Sequence, residues 1–468
     1  MLENYSVFNT NLRRKILIPF YWKYINQSNV LNYLDKLKDY QWKSWEENQR
    51  LQRKRLFLLI KYAGKNIPYY QNIFQSSNFT FSEPTILEDV KRLPVLTKET
   101  IRTHFDELYC FQDKTYYRNT SGGSTGEPVI FYQDKEYLNW ANAAKRLFNE
   151  WAGRRLGDPM IKLWGSLSDI LEVDLGFKGF LRRQISGITI LNSYRMTEKD
   201  VEKYVRIINA KKPDFILTYT NSISEIANFI REYQLSIHSP SSIMTAAGVL
   251  YPEVKKTIEE VFQTKVFNRY GSREVSDIAC NCEKDNGLHL IPSIHYLEVV
   301  DHKGNPVRPG VTGNLIVTLL TNYTMPLIRY QIGDRGILSD KMCSCGRGFP
   351  LLKKVKGRMR SVFRNKEGDY IDGGAFIRFF YFRNNIKQFQ VIQKSLELIT
   401  VNIVLKDKSR KEIIEKDILE ISDSINKIMK SKVVIQFNLV DEVQPSSSGK
   451  HGYVISKVKF FLQGKEAR

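Results

Sequence analysis

The chain has few cysteines and no long apolar run, and each shortage closes off a class of protein. Five cysteines among 468 residues are too few for a disulfide-stapled secreted scaffold. Four of them stand in two Cys-x-Cys pairs, which suits a reducing compartment and metal ligation better than stapling. No stretch approaches the roughly 18 consecutive apolar residues of a membrane-crossing helix. The most apolar N-terminal piece, "ILIPFYW", is short and broken by Pro19. Neither a span nor a secretory signal is expected, and the expected location is the cytoplasm. Internal repeats and long low-complexity segments are absent as well. Also missing is the Gly-x4-Gly-Lys-Ser/Thr phosphate loop. The one comparable stretch, "TSGGSTGEP", carries Glu127 where that lysine would stand.

What is present reads as globular, with 42% hydrophobic residues and a length that exceeds what one core usually serves, so two or more domains are expected. The net charge of +21 raises the question of nucleic acid. Lys and Arg are scattered along the chain, no recognition motif accompanies them, and no nucleic-acid partner is expected. A basic and aromatic N-terminal segment, residues 1–50 with "NLRRKILIPFYWKYI", is the one place suited to peripheral contact with the inner face of a membrane.

Residues 31 to 63 recur in apolar positions at helical spacing and predict one or two amphipathic helices closed by Gly64 and Pro68. "TKET" offers Thr97 as an N-cap. Beyond the hydroxyl-rich loop, helical stretches of 10 to 15 residues alternate with short apolar ones such as "MIKLWG", "DFILTYT", "SSIMTAAG" and "TKVFNRYG". That alternation predicts βαβ units and parallel sheets, whose ligands gather at the carboxyl ends of the strands. From "HYLEVVD" to "RGILSD" short strands joined by Gly and Asn turns suggest a small antiparallel or distorted barrel region. The remainder reads as an α+β unit of about 110 residues, with the boundary near Arg358 to Arg360. The fold class is therefore α/β, with a large domain over 51–358 and a small α+β domain over 359–468.

The loop "TSGGSTGEP" turns backbone N–H groups and hydroxyls toward whatever it encloses, which suits phosphate. Three further stretches follow it: "NRYGSREVSDIA", then "PLIRYQIGDRG" with "VKGRMRS", and last "PSSSGKHGYV". Together and in this order they resemble the adenylate-forming ligase superfamily and, within it, the phenylacetate:CoA ligase and CapK capsular-polysaccharide branch. "IKYAGKNIPYYQNIF", "LPVLTKETIR" and "IKQFQVIQKSLELITVNIV" extend the resemblance over nearly the whole chain after residue 50.

The resemblance implies a fold of two domains, the smaller one mobile, and an activity: a carboxylate attacks the α-phosphate of ATP, and the acyl group of the acyl-AMP then passes to CoA or to an amine. It assigns Ser121, Gly122, Gly123, Ser124, Thr125 and Gly126 to the β and γ phosphates. It places Tyr270 on adenine, Gly271 where close approach is needed, Ser272 on phosphate and Glu274 on Mg²⁺. The turn of Ala247, Gly248 and Val249 lines the other adenine face, although the family often has Glu where Val249 stands. Asp334 accepts the ribose hydroxyls, a task suited to a carboxylate. Arg358 is the basic residue near ribose and phosphate, Arg360 the hinge, and Lys450 the mobile lysine that follows developing negative charge. By position Trp164, Tyr219, Asn221 and Ser222 line the acyl pocket. The role of Arg273 is open. The expected setting is surface polysaccharide assembly. The alternatives are an acyl-CoA synthetase of aromatic acid metabolism and a non-catalytic, membrane-associated scaffold.

Two Cys-x-Cys pairs can converge on one tetrahedral Zn²⁺. Cys282, Cys343 and Cys345 are the core of that set, with Cys280 or His289 as the fourth ligand. Four reduced buried thiols are the other reading. Cys110 has no evident partner in the sequence.

Overall fold

Alternating helices and β-branched, aromatic strands build one long sheet. The computed structural model describes residues 9–111, 115–121, 129–164, 184–193, 196, 198–358, 362–367, 370–372, 376, 379–380, 383, 385–407, 411–443 and 453–458. The chain divides into two compact units, Met1–Ile332 with Gly336–Val355, and Gly333–Arg335 with Lys356–Arg468.

In the first unit, helix α1 (Val30–Tyr40) and helix α2 (Trp45–Asn66) are separate, and a capping box of Ser44 and Glu47 starts the second. Gly64 does not end α2, as its residue type suggested. The helix runs through it, and the ring of Phe74 lies 2.6 Å from where a Cβ would be. A glycine costs a helix interior about 1 kcal/mol relative to alanine, and here its missing Cβ makes room for the half-buried Phe74 ring. Pro68 opens the next helix, α3 (Pro68–Ser76). A short helix, α4 (Lys98–Thr103), is capped by Thr97, whose side chain accepts the Thr100 N–H.

Strands β1 (Tyr116–Thr120) and β2 (Ile130–Asp134) form an antiparallel hairpin whose loop is the hydroxyl-rich stretch. Helix α5 (Lys135–Trp151) follows, then β3 (Met160–Trp164) and β4 (Ile188–Asn192). Helix α6 (Glu198–Lys211), β5 (Phe215–Tyr219), helix α7 (Thr220–Glu232), β6 (Ser242–Ala246), helix α8 (Pro252–Phe262) and β7 (Lys265–Ser272) complete the alternation expected. Strands β5 and β6 are buried at every position, as central parallel strands covered on both faces must be.

The chain then turns antiparallel through β8 (Ser276–Asn281), β9 (Leu288–Leu290), β10 (His295–Val300), β11 (Gly313–Leu319), β12 (Tyr330–Leu338) and β13 (Leu351–Arg358). These continue the parallel strands in a single sheet ordered β10-β11-β12-β13-β9-β8-β7-β6-β5-β3-β4. The region expected as a small antiparallel or distorted barrel is thus the antiparallel half of that sheet. Val30, Leu34 and Leu37 of the N-terminal helices share one core with Phe131, Phe148, Phe215 and Tyr330.

The second unit holds a short hairpin of β14 (Val362–Arg364) and β15 (Tyr370–Asp372). Its four-stranded sheet has the order β18-β17-β16-β19, from β16 (Ile386–Gln393), β17 (Leu398–Leu405), β18 (Val434–Leu439) and β19 (Val454–Ser456). Helix α9 (Lys411–Met429) joins β17 to β18, and Arg383 grips it through Asp417 at 2.7 Å and Glu420 at 2.5 Å.

Candidate active site

The carboxyl ends of four parallel strands bring together most of the residues assigned to nucleotide and acyl group. Strands β3, β5, β6 and β7 run parallel with Tyr219 opposite Ala246 and Thr245 opposite Asn268. Trp164, Tyr219, the turn after Ala246 and Tyr270–Ser272 therefore share one edge. The rings of Trp164 and Tyr219 lie 4.2 Å apart, and Lys162 stands 4.7 Å over the Trp164 ring. Asn221 and Ser222 occupy the first turn of α7, Ser222 buried and Asn221 half-buried. Ala247 has a φ of 63°, and Ala247 and Gly248 are exposed. The Thr220 hydroxyl donates to the Gly248 carbonyl at 3.3 Å and fixes the turn.

Gly271 is required by the fold itself. A Cβ there would strike the Ser276 carbonyl and the Asp277 backbone of the neighbouring strand, at an irregularity in the β7–β8 pairing. Its smallness serves the tight return of the chain. One residue on, the Ser272 hydroxyl is buried with no hydrogen-bond partner among the described residues. Orphaned buried hydroxyls are uncommon, and a ligand oxygen is one remedy.

Glu274 is buried, with 7% exposure. The Tyr330 hydroxyl donates to its Oε1 at 3.1 Å, and the Lys98 ammonium stands 3.6 Å from the same oxygen. Lys98 arrives there because Leu96 pairs with Tyr330 in parallel, the Leu96 N–H donating to Arg329 O at 3.0 Å and the Gln331 N–H to Leu96 O at 2.9 Å. Arg329 is held in turn by Glu298 through two bonds of 3.0 and 3.1 Å. The N-terminal stretch "LPVLTKETIR" therefore lies against "IRYQIGD" and supplies a cation to the acid of "RYGSRE".

The hydroxyl-rich loop is tied to the same acid. Gln133 on β2 donates to the carbonyls of Arg273 at 2.9 Å and Glu274 at 3.3 Å, and accepts from the Asn119 amide at 3.2 Å. At the mouth of the loop the Ser121 N–H donates to Val129 O and the Val129 N–H donates to the Ser121 hydroxyl, both at 2.9 Å. The Ser121 oxygen is thus a clasp, and its hydrogen remains a donor. Gly122, Gly123, Ser124, Thr125 and Gly126 lie outside the described residues, as do Arg360 and Lys450. Arg358 ends β13, and its side chain is not among those described. Asp334 follows Gly333, whose φ of 89° bends β12.

Lys98, Tyr330 and Gln133 were not singled out in the sequence. Lys98 and Tyr330 both stand in quoted stretches, but "TKET" reads as a helix start and "RYQIGD" draws attention to its acid. Nothing marks Gln133.

A second group stands at the other end of β8. Cys282, His289, Cys343 and Cys345 place their ligand atoms within 4.8 Å of one another. Cys280 is not in the group. It is buried within β8 opposite Arg269 on one side and His289 on the other, and its thiol is not among the ligand atoms that lie within 4.8 Å of one another. Burial pulls the His289 imidazole down to about 4, so it is neutral near pH 7. Cys110 is half-buried, and its N–H donates to Thr324 O at 2.9 Å.

The chain is similar to known proteins over most of its length. Residues 363–457 match the family model for the CapK C-terminal domain. Protein CapK of Staphylococcus aureus is 24% identical over 416 residues, covering 87% of this chain and 89% of its own length. The phenylacetate-coenzyme A ligases of Thermus thermophilus and Escherichia coli are 28% and 27% identical, covering 67% and 69% of this chain and 71% and 74% of their own. Among solved structures, 2-hydroxyisobutyryl-CoA ligase in the postadenylation state, in complex with R3-HIB-AMP, has a TM-score of 0.69 at 19% identity, with 87% of this chain and 89% of that one covered. The fold expected from motif order is the fold found, and the chain is similar to adenylate-forming ligases over most of its length.

Proposed function

We propose that the chain, an adenylate-forming ligase by its relatives and its fold, uses ATP to convert a carboxylic acid into an acyl-adenylate and passes the acyl group to CoA. The single observation that carries this reading is the chain of contacts from Asn119 through Gln133 to the backbone of Glu274, because it couples a phosphate-suited loop to a buried acid beside a hydroxyl with no partner among the described residues.

In the first step a substrate carboxylate oxygen attacks the α-phosphorus and pyrophosphate leaves. In the second the CoA thiol attacks the acyl carbonyl and AMP leaves. Ser272 donates to the α-phosphate, the loop of Ser121 to Gly126 holds the β and γ phosphates, and Tyr270 with the 247–249 turn sandwiches adenine. Asp334 binds the ribose hydroxyls, with Arg358 close by. Lys450, on a unit that turns about Arg360, meets the charge developing on the reacting oxygens. Glu274 would hold Mg²⁺, which when bound neutralises phosphate charge. The donor set fits, since Tyr330 and Lys98 both address Oε1 and keep the carboxylate oriented. Trp164, Tyr219, Asn221 and Ser222 frame the acyl group, and their mixed character favours an acid more polar than phenylacetate.

A place in surface polysaccharide assembly is supported by the CapK match, which spans 87% of this chain against 67% for the first ligase. Leu12, Ile16, Phe20, Tyr24 and Ile25 are exposed beside exposed Lys15 and Lys23, which supports peripheral contact with an anionic membrane face. The test is pyrophosphate release across aromatic, fatty, amino and sugar acids, with CoA, with an amine, and with neither. CoA-dependent thioester from one acid class is expected. Release with no acid of any class would overturn the reading, and amide formation would replace CoA by an amine.

A further inference from the structure

The cluster at the far end of β8 has no part in the chemistry above and is argued independently of it. Cys282 follows β8, His289 lies within β9, and Cys343 and Cys345 flank Ser344 on the connection from β12 to β13. Cys282 Sγ lies 3.7 Å from Cys343 Sγ, and Cys345 Sγ lies 3.4 Å from His289 Nε2. Ligands around a tetrahedral zinc, with Zn–S near 2.3 Å and Zn–N near 2.0–2.1 Å, stand about 3.6–3.8 Å apart along the edges of the tetrahedron. A disulfide instead requires sulfurs about 2.05 Å apart, and it would leave a thiol and an imidazole facing each other unused.

The surroundings are arranged as metal sites are. The His289 Nδ1–H donates to the Phe349 carbonyl at 3.2 Å. That bond sets the tautomer and turns the Nε2 lone pair toward Cys345, which is how a ligating histidine is oriented. The Lys284 N–H points at Cys282 Sγ from 3.5 Å. Three thiolates around a dication leave one negative charge, and Arg347, which hydrogen-bonds Cys345, stands in place to balance it. Arg347 continues outward to Glu283 at 3.2 Å and Gln41 at 3.1 Å and stacks over Trp42 and Trp151. The knuckle thereby fastens the turn between α1 and α2, where the Gly348 N–H also donates to Gln41 O at 2.8 Å.

We propose that Cys282, His289, Cys343 and Cys345 bind one structural Zn²⁺ that joins the β8–β9 turn to the β12–β13 connection. Four protein ligands close the coordination sphere, so no position is open for a reacting water, and three sulfurs with one imidazole select zinc over the hard cation of the phosphate chemistry. The ion acts as a rivet between segments that are distant in sequence.

The test is elemental analysis of the full chain purified without chelator, together with Co²⁺ substitution. About one Zn²⁺ per chain is expected, released by a thiol-modifying reagent, and Co²⁺ should give the absorption of a tetrahedral thiolate site. Cys343→Ser with Cys345→Ser should lose the metal, whereas His289→Cys should retain it with an altered cobalt spectrum. If the double variant does not fold, reagent-triggered release and cobalt spectra of the unmodified chain still decide the question. Less than a tenth of an equivalent, both as purified and after exposure to zinc under reducing conditions, would overturn the proposal. So would an octahedral cobalt spectrum, or full zinc content in the double variant.

Discussion

The two ends of strand β8 are built to opposite plans. Where it begins, beside Gly271, the buried Ser272 hydroxyl has no hydrogen-bond partner among the described residues, and the neighbouring turn carries the exposed Ala247 at positive φ. Where it ends, at Cys282, sulfur, imidazole and guanidinium groups are turned on one another and on backbone carbonyls. Groups left open within hydrogen-bonding reach of solvent or ligand cost stability and serve chemistry. Groups closed on each other give stability and no chemistry. The same strand therefore joins the proposed substrate site to a knuckle whose four ligand atoms face one another.

That contrast can be broken in several places. The largest effect is expected at Lys450: Lys450→Ala should lower carboxylate-dependent pyrophosphate release by about 100-fold or more with an unchanged melting temperature, and unchanged activity would remove Lys450 from the chemistry. Lys98→Met comes next. It deletes the cation beside Glu274 while keeping the stem, and a loss of about tenfold in kcat is expected because one charge-assisted contact of about 1.5 kcal/mol disappears. A drop in stability with normal turnover would make Lys98 structural only.

At the closed end the signs reverse. The double variant Cys343→Ser and Cys345→Ser should melt at lower temperature yet turn over within a few fold of the parent at low temperature. A kcat loss as deep as that of Lys450→Ala would erase the distinction between the two ends. The smallest effect is acid sensitivity. His295 donates through Nε2 to Val275 O at 2.7 Å, and burial lowers its pKa from 6.5 to about 4. In the unfolded chain it binds a proton more readily, so the stability that its neutral form provides is full above about pH 6.5 and is lost as pH falls toward 4. His295→Gln should flatten urea-unfolding stability over that window, and an unaltered slope would count against the assignment.

Much of the alternation of helix and strand was legible, because helices of the α6, α7 and α8 kind carry strong periodicity and β5 and β6 are continuous apolar runs. Strand β1, "YYRNT", was not: four of its five positions are exposed, so nothing alternates for a reader to find. Strand β4 sits at the sheet edge with only Leu191 buried, and it left little mark. The motif residues Tyr270, Ser272 and Glu274 were visible as types in order. Lys98 and Tyr330 were not, since their meaning arises from the pairing of Leu96 with Tyr330 across the fold. The cysteine pairs were plain in the sequence. The fourth member of the cluster, His289 rather than Cys280, is decided by where the ligand atoms stand in space, which spacing leaves open.

Glu274 is the residue on which the proposed activity depends, and ATP–pyrophosphate exchange is the measurement that isolates it. With an accepted carboxylic acid, exchange should require Mg²⁺ and fall by about 10²–10³-fold in Glu274→Gln, with binding of the acid little changed. Exchange that proceeds in Glu274→Gln at the parent rate, or that runs without any carboxylic acid, would contradict it.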